Sequence, residues 1–204
     1  MIFGDWVRNL KYFWFREANI GGIPLMLARS GWSKQGGFEL YLIDGSKGTA
    51  LWNIVREAGQ AWDIGPGSPN MFERIESGLL SWGADTDDQT NPFEVHLDKY
   101  VDLDVPDDVV GVKALRRIKA EGPRRKQLGL ILESDDPTAP HAVWYDILVN
   151  GRKVGDMTNG VWSPRLKRNI GFALISRDIL AGDAVQVQKD GQHIPAFLTE
   201  LPFI

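Results

Sequence analysis

Apolar and polar residues alternate in short runs through the last third of the chain. Leu128, Leu130 and Leu132 share one side of the first run, and further extended runs lie near 142–149, 152–158, 169–175, 184–189 and 193–198. Asn150-Gly151 and Asp190-Gly191 stand between such runs, and both pairs favour the left-handed backbone of a two-residue hairpin turn. Strands at this spacing predict a small all-β barrel or jelly roll. Upstream the pattern is mixed. Phe13 and Phe15 alternate with Trp14 and Arg16, which predicts a strand paired with Ile23–Arg29 across Asn19-Ile20-Gly21-Gly22. Ser46 reads as the cap of a helix whose apolar stripe is Ala50, Leu51, Ile54, Val55 and Ala58, ended by Gly59. After the Gly65-Pro66-Gly67 turn, Ser68-Pro69 opens a second helix with Met71, Phe72, Ile75 and Leu79 inward. Phe93–Leu103 reads as extended, and Val112–Ala120 as a short helix with Ala114, Leu115 and Ile118 inward and Gly122 as its stop. The fold class is therefore α+β. A mixed region, 1–122, precedes a β-barrel domain, 123–204, with the boundary at Gly122-Pro123-Arg124-Arg125-Lys126.

One stretch stands apart. Ala28–Leu42 is a polar, glycine-rich turn feeding a strand over 37–43, in which Glu39 and Tyr41 share a face and Trp32 lies on the loop before it. A carboxylate beside aromatics is an unusual sheet lining, although pattern alone also allows an edge strand with a solvated Glu. Glu73, Arg74 and Glu76 read as a solvated helix face.

Composition narrows the chemistry. With 204 residues, 43% hydrophobic and 25% charged, the chain can bury a substantial core. A net charge of −4 without a long basic block argues against nucleic-acid binding. The absence of cysteine excludes thiolate nucleophiles, disulfides and Cys-built zinc sites, and three dispersed histidines (His96, His141, His193) do not predict a metal centre. Asp85, Asp87 and Asp88 lack the glycine and terminal Glu of a calcium loop. The charged opening segment around Phe13-Trp14-Phe15 is neither a signal peptide nor a membrane span, so no membrane partner and a cytoplasmic location are expected. Eight tryptophans leave room for some to line a site. No phosphate loop, nucleotide fingerprint or nucleophile elbow is present, and no residue is assigned a catalytic role. What remains is a site that positions two reactants.

The Ala28–Leu42 stretch resembles the segment of the folate-dependent aminomethyltransferase family that reads Arg-Thr-Gly-Tyr-Thr-Gly-Glu-x-Gly-Phe-Glu in the T-protein of glycine cleavage. Arg74-Ile75-Glu76-Ser77-Gly78 is similar to the family's Arg-Leu-Glu-Ala-Gly helix, and Thr90-Asn91-Pro92-Phe93-Glu94 to its Thr-x-Pro-x-Glu turn. Ser163-Pro164 through Asn169-Ile170 is similar to a segment of its C-terminal barrel, so the resemblance runs nearly the whole chain. Within the family, Trp32-Ser33-Lys34-Gln35-Gly36-Gly37 and Ile75–Asp85 look most like the dimethylsulfoniopropionate demethylases. Trp32 in place of a Tyr, and Asn70 in place of an Arg, depart from T-protein. The cysteine-bearing folate-binding iron–sulfur repair relatives do not match.

The resemblance implies the C-terminal part of a three-subdomain T-protein-like fold, with tetrahydrofolate as cofactor. It implies methyl transfer from a small sulfonium substrate to folate N5, giving 3-methylmercaptopropionate and 5-methyltetrahydrofolate. By matched position, Glu39 and Arg74 are the expected cofactor-binding residues, although a salt bridge is the leading reading for Arg74; Trp32, Tyr41 and Trp6 are the expected substrate-binding residues. Aminomethyl transfer in glycine cleavage and a non-catalytic folate-binding module are the alternatives. Family members are longer at the N-terminus, so the apolar faces of 1–20 and 37–58 are expected to favour association, as a homodimer or with a missing N-terminal half. The isolated chain is accordingly expected to be a poor catalyst or inactive. Methyl transfer to tetrahydrofolate at the rate of a full-length relative would overturn that expectation.

Overall fold

The computed structural model describes residues 2–32, 36–68, 70–141 and 143–204, which fall into two compact units, Met1–Asn70 and Met71–Ile204. The first unit is built on a three-stranded antiparallel sheet, β1 (Phe15–Ile20), β2 (Ile23–Ala28) and β3 (Glu39–Leu42), in that order. Gly21 and Gly22 make the predicted hairpin turn with φ of 56° and 83°, where a side chain would be strained. Phe13 does not join the strand. Its φ of 64° turns the chain, and β1 begins at Phe15.

One face of this sheet is buried. Ile20, Ile23, Leu25 and Leu27 form its core, with Leu40, Leu42, Leu51, Ile54, Phe3, Trp6 and Val7 packed around them. Helix α1 (Gly48–Gly59) supplies Leu51 and Ile54, while Ala50 is exposed. The cap is not Ser46. Asp44 accepts the Ser46 N–H at 3.0 Å and caps a 3-10 turn, Gly45–Lys47, that runs into α1. The proposed proline at 69 lies outside the described residues, as do Ser33, Lys34, Gln35 and Ala142.

The second unit is dominated by a closed antiparallel barrel. Its strands are β4 (Arg125–Leu132), β5 (Tyr145–Val149), β6 (Arg152–Ser163), β7 (Arg168–Ser176), β8 (Ala184–Lys189) and β9 (Gln192–Thr199), in the order β4-β7-β6-β5-β8-β9 and back to β4. Both hairpin pairs turn as predicted, with φ of 51° and 75° at Asn150 and Gly151 and 51° and 79° at Asp190 and Gly191. Leu128, Leu130, Leu132, Ile147, Met157, Ala173, Ile175, Val187 and Leu198 fill the interior. The outer face of β6 and β7 is buried too. Helix α2 (Met71–Glu76) lays Ile75 against Val161, Ile170 and Phe172, with Met71 and Phe72 alongside. That double burial explains why β7 reads as an almost unbroken apolar run.

Two further expectations fail in the second unit. Residues 93–103 are not extended: the Asn91 side chain accepts the Phe93 N–H at 3.1 Å, Leu97 N–H bonds Pro92 O at 3.0 Å, and His96 sits at φ 56°. Local turn bonds win because Asn-Pro initiates a turn more strongly than a short apolar alternation holds a strand. Helix α3 (Val112–Glu121) ends at Gly122 as predicted, but it buries Val112 while Ala114 is exposed.

Strands β6 and β7 approach closely at their glycines. A Cβ on Gly171 would lie 2.6 Å from the Asn159 carbonyl oxygen and 3.0 Å from Met157 Cε. Gly171→Ala is expected to cost about 1–3 kcal/mol of stability, read from urea unfolding midpoints. An unchanged midpoint would show that the two strands can separate freely.

Candidate functional site

In an antiparallel ladder directly paired residues share a face, so the register sorts the first unit's side chains. Glu39 pairs with Ala28, which pairs with Phe15; Tyr41 pairs with Met26, which pairs with Glu17. These make the outward face. Leu40, Leu27, Leu42 and Leu25 make the inward one. Glu39 and Tyr41 are therefore neighbours on one exposed surface, with Phe15 and Met26 across the sheet, and Tyr41 is 55% exposed.

Trp32 is also exposed, on the loop that joins β2 to β3. That loop returns through Gly36 and Gly37, whose φ of 87° and 120° suit glycine alone. Its entry is anchored. Arg29 N–H bonds Trp14 O at 2.9 Å, Phe13 N–H bonds Arg29 O at 2.8 Å, and Arg29 Nη1 donates to Leu10 O at 2.8 Å. Ser30 follows directly, and its hydroxyl donates to Glu39 Oε2. Sequence reasoning passed over Ser30, because its nearness to Glu39 follows only from the Ala28–Glu39 register.

Trp6 is not with this group. It packs on the inward side of the sheet, lies 5.0 Å from the Arg16 guanidinium, and lines an open pocket of about 400 Å³ with Phe3, Arg16 and Asn19. Its pocket reaches Glu17 at the β1 edge of the outward face, but Trp6 itself packs with the inward core.

Arg74 belongs to the second unit, and the solvated helix face expected for it and Glu76 is overturned. Both are fully buried. Arg74 Nη1 donates to Asp85 Oδ2 at 2.5 Å and to Leu79 O at 2.8 Å, and its guanidinium lies 5.6 Å from the Phe172 ring centre. Asp85 Oδ2 also accepts the Ser81 N–H at 2.7 Å, and Trp144 Nε1 donates to Ala84 O at 2.7 Å, holding the same loop to the barrel. Burial pushes the Asp85 carboxyl above its ordinary value of 3.8, and the Arg74 charge opposes only part of that rise. Glu76 accepts the Ser163 hydroxyl at 2.5 Å and lies 3.4 Å from Arg165. Buried Glu94 holds Arg125 through two bonds of 2.9 and 3.0 Å. Asn169 fastens the β4–β5 connection by donating to Ser134 O and Asp136 O and accepting the Thr138 N–H. These side chains bind the second unit together.

Comparison with known proteins divides the chain later than the compact units do, so that residues 71–105, part of the second unit, fall within the N-terminal family match. Residues 5–105 match the GCVT N-terminal domain and residues 125–204 the glycine cleavage T-protein C-terminal barrel domain. The chain is 35% identical to dimethylsulfoniopropionate demethylase of Ruegeria pomeroyi and 35% identical to an aminomethyltransferase of a Synechococcus strain. It is covered over 98% in both matches and spans 54% of each relative, about half their length. The crystal structure of glycine cleavage system aminomethyltransferase T from Bartonella henselae superposes with a TM-score of 0.72 at 22% identity, over 96% of this chain and 54% of that one. The shared fold is that of an aminomethyltransferase, a mixed α/β segment followed by a closed six-stranded barrel. Among the described residues no helix is long and apolar enough to cross a membrane.

Removing the charge of Arg74 strands Asp85 in the interior. Arg74→Ala is expected to cost about 3–5 kcal/mol near neutral pH. A carboxyl whose folded pKa is raised binds its proton more tightly folded than unfolded, so its contribution falls as pH rises from 3.8 towards the folded value. The loss in Arg74→Ala should therefore shrink as pH is lowered, when Asp85 takes up a proton. Denaturant melts at several pH values check this, and a pH-independent loss would refute it.

Proposed function

We propose that this chain, which belongs to the glycine cleavage T-protein family, contributes the pterin-holding strand of a tetrahydrofolate-dependent site that demethylates dimethylsulfoniopropionate. The observation that carries this reading is a contrast in burial. Glu76, Asp85 and Glu94 are buried and engaged by Ser163, Arg74 and Arg125, whereas Glu39 is exposed on a strand paired to β2, with Tyr41 beside it. A carboxylate with lone pairs still open to solvent accepts a pair of hydrogen bonds from adjacent N–H donors, which is what the edge of a pterin offers. The residues present fit that group.

Bound tetrahydrofolate would supply the nucleophilic nitrogen that accepts the methyl group. The chain's own part is binding and alignment. Glu39 holds the pterin edge and so fixes where N5 lies. Trp32 and Tyr41 offer aromatic faces to the sulfonium, a soft cation with no hydrogen-bond donor, each contributing about 0.5–2 kcal/mol. The S–CH₃ bond breaks with its electron pair remaining on sulfur, which becomes the neutral thioether of 3-methylmercaptopropionate, and the proton that the accepting nitrogen carried would be given up to solvent. The methyl is already activated by the positive sulfur, so positioning and exclusion of water suffice and no protein nucleophile is required. Trp6 and Arg74, on the inward side of the sheet and inside the second unit, take packing roles in this reading.

Aminomethyl transfer is the second reading, favoured by the equal identity to the Synechococcus aminomethyltransferase. Departures at Trp32 and Asn70 support the sulfonium donor.

Calorimetric titration separates these. Tetrahydrofolate is expected to bind wild type, with affinity reduced about tenfold or more in Glu39→Ala, as for loss of a charge-assisted bond. Dimethylsulfoniopropionate is expected to bind wild type and to weaken about three- to tenfold in Trp32→Ala and Tyr41→Ala. Folate binding without sulfonium binding would favour aminomethyl transfer or a folate-binding module. Binding of neither would overturn the proposal for this chain.

A further inference from the structure

We infer that Ser30 is a positioning residue for Glu39, setting the direction in which that carboxylate meets the pterin edge; the inference rests on the folate reading above. A Glu side chain on an exposed strand has three rotatable bonds and samples many orientations, so recognition of a planar partner by two parallel bonds requires it to be held. The Ser30 hydroxyl donates to Oε2 and supplies that restraint. A carboxylate has two oxygens and about four lone-pair sites, so one donated bond leaves capacity for a ligand.

The restraint is useful only if Ser30 itself is fixed, and the backbone fixes it. Ala28 is locked in register with Glu39, and Arg29 is tied on both sides by the bonds to Trp14, Phe13 and Leu10. Ser30 is the next residue, half-buried at the point where the loop leaves the sheet. The hydroxyl therefore reaches Glu39 from a pinned base across two adjacent strands. Orienting a binding group by a second group on rigid elements is how a site is organised before its ligand arrives.

The test is a double-mutant cycle on tetrahydrofolate affinity, using the 204-residue chain, with Ser30→Ala, Glu39→Gln and the double variant, and with Ser30→Thr as the hydroxyl-retaining control. Ser30→Ala is expected to weaken binding about fivefold and Ser30→Thr less than about twofold. In the Glu39→Gln background the Ser30→Ala effect should largely vanish, because the two act as one unit. Circular dichroism and melting of each variant report folding separately. Wild type that binds tetrahydrofolate, with equal losses from Ser30→Ala in both backgrounds or with no rescue by threonine, would overturn the positioning role while leaving the folate reading intact. Wild type that does not bind tetrahydrofolate would overturn both.

Discussion

A guanidinium and a carboxylate withdrawn together from water are stable only if each satisfies the other. Arg74 and Asp85 make that bargain against the outer face of the barrel, between α2, the loop that follows it and β7. Desolvating such ions costs several kcal/mol apiece, which their attraction and added hydrogen bonds must offset. Arg74 reaches Leu79 O and the Phe172 ring, and Asp85 takes the Ser81 N–H, so the pair also sets the path of the loop. Glu76 then ties α2 to the end of β6 through Ser163, and its carbonyl accepts the Phe203 N–H at 2.9 Å. An apolar helix face alone could slide along the barrel; these directional bonds give it one seat.

This arrangement divides the motif residues by what surrounds them. Arg74, Glu76, Asp85 and Glu94 are internal ties of the second unit. The first unit leaves Glu39 and Tyr41 on an open sheet face, beside a loop held at its entry by Arg29. Residues of the same charge thus meet opposite surroundings: Glu94 is buried and engaged by Arg125, whereas Glu39 stands at the surface and takes a bond from Ser30. Burial, more than residue type, separates a framework carboxylate from one left open to solvent.

Much of the barrel was legible because its signals are local. Leu128, Leu130 and Leu132 alternate, and Asn150-Gly151 and Asp190-Gly191 can hardly be anything but hairpin turns. That Glu39 and Tyr41 share a face was legible for the same reason. Three things were not. Arg74 and Glu76 looked solvated because their partners, Asp85 and Ser163, are distant in sequence. Residues 93–103 carried an apolar alternation that the Asn91 turn overrode. Trp6 could not be assigned to a face, since that depends on which side of β1 the N-terminal segment folds back over. The local period names the face a side chain occupies, but only the tertiary register names its neighbours.

The barrel's topology also constrains the order in which it can be made. Its seam is β4 with β9, the first strand and the last, joined from Gly129–Thr199 to Leu132–Ala196. During synthesis β5 to β8 can pair as they emerge, but the cylinder stays an open sheet until residues 192–199 are available. Until then β4 and β8 each present an unpaired edge bearing apolar residues, the state most prone to capture by another nascent chain. Closure is a long-range event, and its rate is governed by the entropy of bringing distant strands together. The β8–β9 hairpin, with its tight Asp190-Gly191 turn, shortens that delay by delivering β9 to the seam already paired on one side.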